Sequence, residues 1–379
     1  MRPLTVALAT SGLTKPLKEG AVECGRPLDF VPVEQIVPLM RRMVRGQEFD
    51  ICEMAFTTYL CARAAGKAIT AIPVFVTRNF HHWAAFQNVK AGLRSPRDLE
   101  GRTVAVNRGY TVTTGLWVRG ILAHEYGVDL RQVTWAPTDD EHVQEYQAPA
   151  NVTYKFRGRP VAELLLSGEA VAAVGDVRTD APEITPLIAD ARESGFAWYR
   201  KTGIYPINHT VVVKDEVLAA EPGLARALVA GFVAAKSAYL ARLDGGRDLG
   251  PADETVRGLG AVVGDPFPFG VAANRPALVD FYTDYMRAMR WFLDPANRTE
   301  ALAIAVAVTH SAPAALDYAF TKRDFYRSPD LLPVIEAIQK EIDEDVELKV
   351  LPKRIAVSPR YVDLSLIAAA KERLDDHPR

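Results

Sequence analysis

Short apolar runs alternate with stretches of helical periodicity along the first two thirds of the chain. The runs that predict strands are residues 4–9, 30–33, 72–76, 103–106, 133–137 and 210–213. Apolar residues at helical spacing follow several of these runs, for example at 36–45 and 57–65. Strands that alternate with helices predict an α/β fold with mainly parallel sheets, and the last stretch, from residue 294 onward, predicts helices alone.

One strand end combines charge with aromatic rings. The apolar run 72–76 leads directly into Arg78, His81 and His82, with Phe80 and Trp83 interleaved. Ligands gather where such strands end, and two imidazoles beside a guanidinium and two rings would suit a flat anion. The alternative is an ordinary strand end whose histidines make local hydrogen bonds.

A second candidate position follows the short strand in the motif FDICEMAFTTYL. Glu53 lies at the join, and Thr57, Thr58 and Tyr59 open the next helix. The N-terminus of a helix that carries hydroxyl groups can bind a carboxylate. The same hydroxyls can equally serve only to cap the helix.

The strand at 103–106 ends in a glycine turn that carries Arg108 and Tyr110, and a threonine-rich helix start follows. Backbone N–H groups and hydroxyls at this strand end predict a second anion-binding position. Arg119 lies further along the same helix, where it could bind a ligand or pair with a carboxylate of the protein.

Three further segments carry polar groups. Arg178 follows the apolar run 170–175, and Tyr205 and His209 precede the strand at 210–213. The residues from 138 to 151 are acidic and polar, and their spacing matches no metal motif, so we expect a solvated loop there and no metal site.

Composition narrows the class of protein. The chain has 379 residues, 49% of them hydrophobic and 24% charged, and a net charge of −2, which argues against a nucleic-acid-binding protein. Its length predicts two lobes. The start fits no signal peptide and no stretch predicts a membrane span, so we expect a cytoplasmic protein whose three cysteines are reduced thiols.

Several motifs together carry a family resemblance. They are FDICEMAFTTYL, IPVFVTRNFHHW, SPRDLEGRTVAV, TTGLWVRGILAHEYGVD, RKTGIYPINHTVVV and DPFPFGVAANRP. In this order the chain resembles the 4,5-dihydroxyphthalate decarboxylase family, which is similar in fold to type II periplasmic solute-binding proteins. The last hundred residues instead resemble the helical tails of solute-binding and thiamine-pyrimidine-synthase-like proteins.

The resemblance implies a two-lobed α/β fold of the type II periplasmic-binding-protein kind with a helical C-terminal extension. Lobe 1 would comprise residues 1–106 and 206–379, and lobe 2 residues 107–205. The ligand would lie in the cleft between the lobes, and closure of the lobes would exclude water.

The implied activity is decarboxylation of a hydroxylated aromatic dicarboxylate without a cofactor, by protonation of the ring carbon that bears the leaving carboxylate. His82 or His209 would donate the proton, and Glu53 would orient a group or accept from a hydroxyl. Arg78 and Arg108 would bind carboxylate. The full set of expected substrate-binding residues is Arg78, His81, Arg108, Tyr110, Arg119, Thr57, Thr58, Tyr59, Arg178 and Tyr205.

Two other functions stay open at this point. The same cleft could belong to a solute-binding protein that captures an aromatic or other small carboxylate without chemistry. A thiamine-pyrimidine-synthase-like enzyme is the other alternative. The expected partner is a small aromatic carboxylate, with no nucleic acid and no membrane, and the sequence leaves open whether a homo-oligomer forms.

Overall fold

The computed structural model describes residues 2–246, 248–270, 275–309, 311–316, 328–333, 335–347, 354 and 364–376. The chain forms two compact units, Met1–Gly270 and Val271–Arg379. The end of the last family motif, residues 271–274, lies outside the described residues. The candidate site residues predicted above all lie in the first unit.

The strands of the first unit form two sheets. They are β1 (Leu4–Ala7), β2 (Leu28–Phe30), β3 (Ile51–Ala55), β4 (Ile69–Arg78), β5 (Ala85–Asn88), β6 (Thr103–Val106), β7 (Thr134–Pro137), β8 (Ala172–Val174), β9 (Ile184–Pro186) and β10 (Ile207–Lys214). The helices of this unit are α1 (Lys15–Lys18), α2 (Ile36–Gly46), α3 (Phe56–Ala64), α4 (Thr113–Tyr126), α5 (Val161–Leu166), α6 (Ala191–Thr202), α7 (Asp215–Ala220), α8 (Leu224–Gly245) and α9 (Pro251–Val263).

The first sheet has the strand order β2-β1-β3-β10-β4. Strands β1, β2 and β3 are parallel, and β10 runs antiparallel between β3 and β4. Side chains of a strand alternate between the two faces of a sheet. Val211 and Val213 accordingly pack on the side of α8, whereas Val212 packs on the side of α2. We call this sheet and the helices packed on it (α1, α2, α3, α7 and α8) the first block.

The second sheet has the strand order β7-β6-β8-β5-β9. Strand β6 is parallel to β7 and β8, and β5 is antiparallel to β8 and β9. Val104 and Val106 pack with α4 on one face, and Ala105 packs with α5 on the other. We call this sheet with α4 and α5 the second block. The predicted α/β fold is confirmed, but the sheets are mixed and not mainly parallel, because β10 and β5 each run antiparallel to both of their neighbours.

The predicted lobe boundaries at residues 106/107 and 205/206 stay a prediction. Strand β5 and strand β6 precede residue 107 and belong to the second sheet. The sequence predicted no strand at β5, because AFQN is short and lacks a clear alternation of apolar and polar residues.

Helix α8 is long and apolar enough to span a membrane by length and composition alone. Its buried residues Leu224, Leu228, Phe232 and Tyr239 instead form one stripe that packs in the core of the first block. A stripe of this spacing is typical of an amphipathic core helix. Cys24, Cys52 and Cys61 are free thiols, as predicted.

The second unit is helical where the structure describes it, as the sequence predicted. Its helices are α10 (Arg275–Leu293), α11 (Arg298–Thr309), α12 (Ile335–Glu347) and α13 (Ser365–Asp376). Met286 of α10 packs with Ala370 and Leu374 of α13. Arg290 adds ion pairs to Asp330 and Asp375, each at 2.7 Å.

The two blocks contact each other through the ends of their helices. The Thr57 hydroxyl at the start of α3 donates to the carbonyl of Thr111 at 2.6 Å and lies 2.8 Å from the Thr113 hydroxyl at the start of α4. Both threonine hydroxyls are buried. The hydroxyl-bearing start of α3, which the sequence predicted as a ligand-binding position, therefore forms a contact between the two blocks.

Residues 138–146, which we call the 138–146 segment, extend this contact. Arg41 of α2 forms an ion pair with Asp139 at 2.8 Å. Arg45 donates to the carbonyl of Glu141 at 2.8 Å, and the Thr58 hydroxyl lies 3.2 Å from Nδ1 of His142. The expectation of a solvated loop is corrected here, because Glu141 and His142 are buried.

His142 is a buried neutral histidine. Burial lowers the pKa of His142 to about 4. The positive charges of Arg41 and Arg108 also lower this pKa, whereas the negative charges of Glu141 and Asp139 raise it. Its Nδ1 faces Thr58, and its Nε2 has no hydrogen-bond partner in the part of the chain that the structure describes.

We therefore predict that His142 makes the protein less stable in acid. Between pH 6.5 and pH 4 the unfolded chain protonates this ring and the folded chain does not, so stability falls as the pH falls. The loss assigned to His142 between pH 7 and pH 4.5 is about 2 to 3 kcal/mol. Urea unfolding at both pH values should show a pH dependence that is smaller by this amount in His142→Asn. His124→Asn, at an exposed position of α4, is the control, and an equal pH dependence in wild type and His142→Asn would contradict the prediction.

Candidate active site

A carboxylate–imidazole pair lies at the end of the first sheet where strand β3 ends and strand β10 begins. Val211 of β10 lies opposite Glu53 of β3, so His209, two residues earlier on β10, is the diagonal neighbour of Glu53 on the same face. Nδ1 of His209 lies 2.6 Å from Oε1 of Glu53. The second oxygen, Oε2, accepts from the N–H of Ala9 at 2.9 Å, just after the end of β1.

The pair is positioned where the carboxyl ends of two parallel strands meet. Strands β1 and β3 both stop at this end of the sheet, and antiparallel β10 begins there. Ligands of open α/β sheets bind outside such strand ends. The structure therefore brings together Glu53 and His209, which are 156 residues apart in the chain.

Glu53 is ionised in this environment. Burial raises the pKa of Glu53, but the hydrogen bond and charge of His209, the amide of Ala9 and the charge of Lys18 together outweigh it and leave this pKa below its usual value. An anionic Glu53 fixes the Nδ1 proton of His209 and directs Nε2 away from the pair. The His209 side chain is 20% exposed, whereas that of Glu53 is 3% exposed.

Lys18 of α1 is a further cation whose charge acts on this pair. The sequence did not indicate it as a candidate site residue. Its Nζ donates to the Thr10 hydroxyl at 2.8 Å, and its charge contributes to the low pKa of Glu53. Burial lowers the pKa of Lys18, against the opposing charge of Glu53. Lys18 also lies 5.9 Å from the centre of the Phe30 ring, and both residues line a cavity of about 480 Å³ beside α1. No local sequence pattern indicates this contact, because Lys18 and Glu53 are far apart in the chain.

His81 contacts Asn208, the residue that precedes His209 in β10. Its Nε2 is 2.5 Å from Oδ1 of Asn208, and its ring stacks on Trp117 at 6.5 Å between centroids. Burial lowers the pKa of His81 to about 4; the bond to Asn208 opposes this shift and the charges of His82 and His209 add to it. His81 is therefore a neutral group and not the cation that the sequence suggested.

Arg78 binds the backbone that leads into β10. Its guanidinium donates to the carbonyls of Tyr205 and Pro206 and lies 4.6 Å from the centre of the Tyr205 ring. Burial lowers its pKa to about 10. Because Arg78 ends β4 opposite Ile207, its side chain reaches these carbonyls. Arg78 and Tyr205 therefore share a buried contact, and the expectation that they bind substrate stays a prediction.

His82 lies in an aromatic cluster. Its ring packs against Trp198 of α6 at 5.7 Å, and a Cβ added at Gly195 would lie 3.3 Å from its Nδ1. Burial lowers the pKa of His82, opposed by Glu125. Of the two histidines predicted as proton donors, His209 is paired with a carboxylate, and Nδ1 of His82 has no hydrogen-bond partner among the described residues. The expectation that His82 donates the proton stays a prediction.

The second predicted anion position is occupied by a side chain of the protein. The carboxylate of Glu141 accepts from the amides of Tyr110 and Thr111 at 2.6 and 3.0 Å. It also accepts from the hydroxyls of Thr111 and Tyr154 at 2.5 and 2.9 Å. The residues form an anion site as predicted, but the anion is internal. The sequence did not indicate that Glu141 fills this position.

Arg119 is buried beneath this site. It donates to the carbonyl of Tyr110 at 2.8 Å and lies 3.8 Å from the centre of the Tyr110 ring, and burial lowers its pKa. Tyr59 packs partly buried in the core beside Phe56, with ring centroids 6.4 Å apart. These contacts give Arg119, Tyr110 and Tyr59 structural roles.

The remaining two arginines face solvent. Arg178 is exposed and pairs with Asp176 at 3.0 Å. Arg108 is exposed, with a φ of 71°, and lines a cavity beside α2. Neither is described in contact with Glu53 or His209. Within the described ranges no three histidine, cysteine or acidic side chains are grouped as metal ligands would be.

No family model matches the chain. It is similar to a curated 4,5-dihydroxyphthalate decarboxylase from Comamonas testosteroni, with 29% identity over 63% of this chain and 76% of the relative. It is also similar to the enzyme of the same name from Pseudomonas putida, with 27% identity over 52% of this chain and 81% of the relative.

Among solved structures, the chain is similar to the alkanesulfonate-binding protein SsuA from Xanthomonas axonopodis pv. citri, with 16% identity over 94% of this chain and 96% of the other, at a TM-score of 0.36. A periplasmic aliphatic sulphonate-binding protein SsuA from Escherichia coli matches over 97% of this chain and 99% of the other, with 11% identity and a TM-score of 0.39. At these TM-scores the likenesses assign no ligand to this chain.

Both curated relatives are decarboxylases, which agrees with the carboxy-lyase expected from the motifs. The resemblance is thereby confirmed: the chain is similar in sequence to 4,5-dihydroxyphthalate decarboxylases over about half to 63% of its length.

Proposed function

We propose that this chain removes CO2 from a hydroxylated aromatic dicarboxylate such as 4,5-dihydroxyphthalate, with His209 as the proton donor. The observation that carries the proposal is the bond of 2.6 Å between the buried carboxylate of Glu53 and Nδ1 of a partly exposed His209. The names of the two curated relatives support the substrate class.

The reaction needs one proton and no oxidant. In 4,5-dihydroxyphthalate each carboxylate has a hydroxyl para to it, and this hydroxyl donates electron density to the ring carbon that bears the carboxylate. Protonation of that carbon forms a new C–H bond, and the C–CO2 bond then breaks. Its electron pair returns to the ring, CO2 leaves, and the product is 3,4-dihydroxybenzoate.

His209 suits the role of donor for an electrostatic reason. The carboxylate 2.6 Å from Nδ1 holds the ring in one orientation, so Nε2 is the nitrogen from which a proton can be transferred to the substrate. Glu53 acts as a positioning residue, because its carboxylate is held by the ring on one oxygen and by the amide of Ala9 on the other. After transfer, solvent returns a proton to Nε2.

Lys18 suits the retained carboxylate. Its charge acts on Glu53, and Lys18 itself borders a cavity that is also lined by Phe30, although neither Glu53 nor His209 is part of the described lining. A cation and an aromatic face together match a flat carboxylic acid. This assignment replaces Arg78, whose guanidinium is engaged by backbone carbonyls.

The first prediction concerns turnover of 4,5-dihydroxyphthalate, followed as release of CO2 and formation of 3,4-dihydroxybenzoate. Wild-type protein should release CO2, and His209→Asn should lower kcat by about 100-fold or more, because a proton-transfer group contributes on that order. Circular dichroism should show a native spectrum and thermal unfolding a lower Tm, because the buried Glu53 carboxylate loses its imidazole partner but keeps the amide of Ala9.

His82→Asn is the matched control, because it removes the other candidate imidazole from its aromatic cluster. Its rate should stay within a few-fold of wild type once folding is verified. Saturable binding without CO2 release by wild type would favour a solute-binding protein. A folded His82→Asn variant that loses as much activity as His209→Asn would overturn the assignment of the donor.

The second prediction concerns recognition of the carboxylate. Lys18→Met should raise KM by about 10- to 100-fold, because a hydrogen bond to a charged group is lost, and should change kcat much less. Lys15→Met on the same short helix is the control, since Lys15 is exposed and pairs with Glu19 at 3.6 Å. Steady-state kinetics that show equal KM values for the two variants would refute a role for Lys18 in binding.

A further inference from the structure

A second cavity, unrelated to the Glu53–His209 pair, is lined by an excess of arginines. It has a volume of about 630 Å³ and lies between α2 of the first block and the residues that follow β6 and β7 of the second block. Its charged lining, among the described residues, consists of Arg41, Arg42, Arg45, Arg108, Glu48 and Asp139. Four cations therefore face two carboxylates in a chain whose net charge is negative.

Each of the two carboxylates is already paired. Asp139 accepts from Arg41 at 2.8 Å, and Glu48 accepts from Arg42 at 2.6 Å. The positive charges of Arg45 and Arg108 therefore lack a carboxylate within the described lining.

Arg45 and Arg108 differ in how their guanidinium groups are held. Arg45 is fixed by two backbone carbonyls, those of Glu141 and His142, which bring no net charge. The Arg108 guanidinium makes no hydrogen bond or ion pair with any residue that the structure describes. One cation is thus rigid and the other is free to adjust to a ligand.

The surroundings show the effect of this positive charge. Arg41 and Arg108 both act to lower the pKa of the neighbouring His142, in addition to its burial. The Nε of Arg41 is buried without a hydrogen-bond partner in the described ranges. A bound anion would supply both the missing charge and further acceptors.

We propose that this cavity binds a small molecule that carries two or more oxyanion groups. Guanidinium forks bind carboxylate and phosphate in a bidentate manner, and several forks around one cavity favour a multiply charged ligand. The described lining contains no aromatic side chain, so the ligand is recognised by its oxyanions and not by a ring. Its oxyanions could be phosphates or carboxylates, which share this chemistry.

Occupation of the cavity would tie the two blocks together. Arg41, Arg42 and Arg45 belong to α2, whereas Arg108 and Asp139 belong to the second block. A ligand held by both sides stabilises their contact, because it binds the assembled arrangement more tightly than the separated one. The 138–146 segment, which connects to α2 through Asp139 and the carbonyl of Glu141, should then open less often.

Isothermal titration calorimetry on the full chain at low ionic strength tests the proposal, with inorganic pyrophosphate and citrate as the two polyanions and acetate as the monovalent comparison. We expect one or both polyanions to bind with a Kd of about 1 mM or lower and acetate to bind far more weakly. Tighter binding of pyrophosphate would identify a phosphate-bearing ligand, and tighter binding of citrate a polycarboxylate. Absence of saturable binding by both polyanions would overturn the proposal.

Matched variants locate the binding. Arg108→Gln and Arg42→Gln should each raise the Kd of the polyanion by about tenfold or more. Arg178→Gln, at an exposed arginine of the second block that pairs with Asp176, should leave the Kd unchanged. An equal loss in Arg178→Gln and Arg108→Gln would indicate screening of general surface charge and would refute a site at this cavity.

Hydrogen–deuterium exchange tests the bridging role without any activity measurement. Saturating polyanion should slow exchange of amides in the 138–146 segment of wild-type protein by about threefold or more, and should have no effect in Arg108→Gln. Saturated binding with unchanged exchange in the wild type would contradict the bridging role. Because neither readout uses turnover, the result is independent of the decarboxylase proposal.

Discussion

The buried carboxylate of Glu53 constrains the architecture around it. A carboxylate that is 3% exposed must be paired and hydrogen-bonded, because an isolated charge in this position would be strongly destabilising. The fold meets this requirement with the imidazole of His209 and the amide of Ala9. Strands β1, β3 and β10 have to end or begin at one edge for these groups to meet. The arrangement that stabilises the carboxylate also exposes one nitrogen of the ring.

The second block contributes a contact to the strand that carries His209, because Nε1 of Trp117 donates to the carbonyl of Ile207 at 3.1 Å. Its anion-binding amides, at Tyr110 and Thr111, are filled by Glu141. That carboxylate anchors the 138–146 segment, whose other contacts reach α2 and α3. A substrate carboxylate held beside the Glu53–His209 pair would need another cation, and we propose Lys18 of the first block for this role.

The sequence predicted much of the fold and part of the site. Strands β1, β3, β6 and β10 and the helices α2, α3 and α4 were visible because their apolar residues repeat with the periods of strands and helices. Strand β5 was missed because its four residues, AFQN, are too few and too irregular to show such a repeat.

The candidate site was harder to predict, because it depends on the direction of single side chains. Glu53 and His209 were both named from their places at strand ends, and register then brought them together. His82 and Arg78 were named for the same reason, but they point to an aromatic cluster and to backbone carbonyls. Lys18 and Glu141 were overlooked because each acts on residues distant in sequence, and no local pattern reports such a contact.

The account rests on the position of the reacting ring beside His209. A crystal structure of the His209→Asn variant with 4,5-dihydroxyphthalate tests it most directly, since this variant should bind the substrate without consuming it. The account predicts a ring carbon that bears a carboxylate within about 3.5 Å of the residue 209 side chain, and the other carboxylate beside Nζ of Lys18. Ordered substrate bound instead beside His82 or Arg108, with the edge at Glu53 occupied only by water, would contradict it.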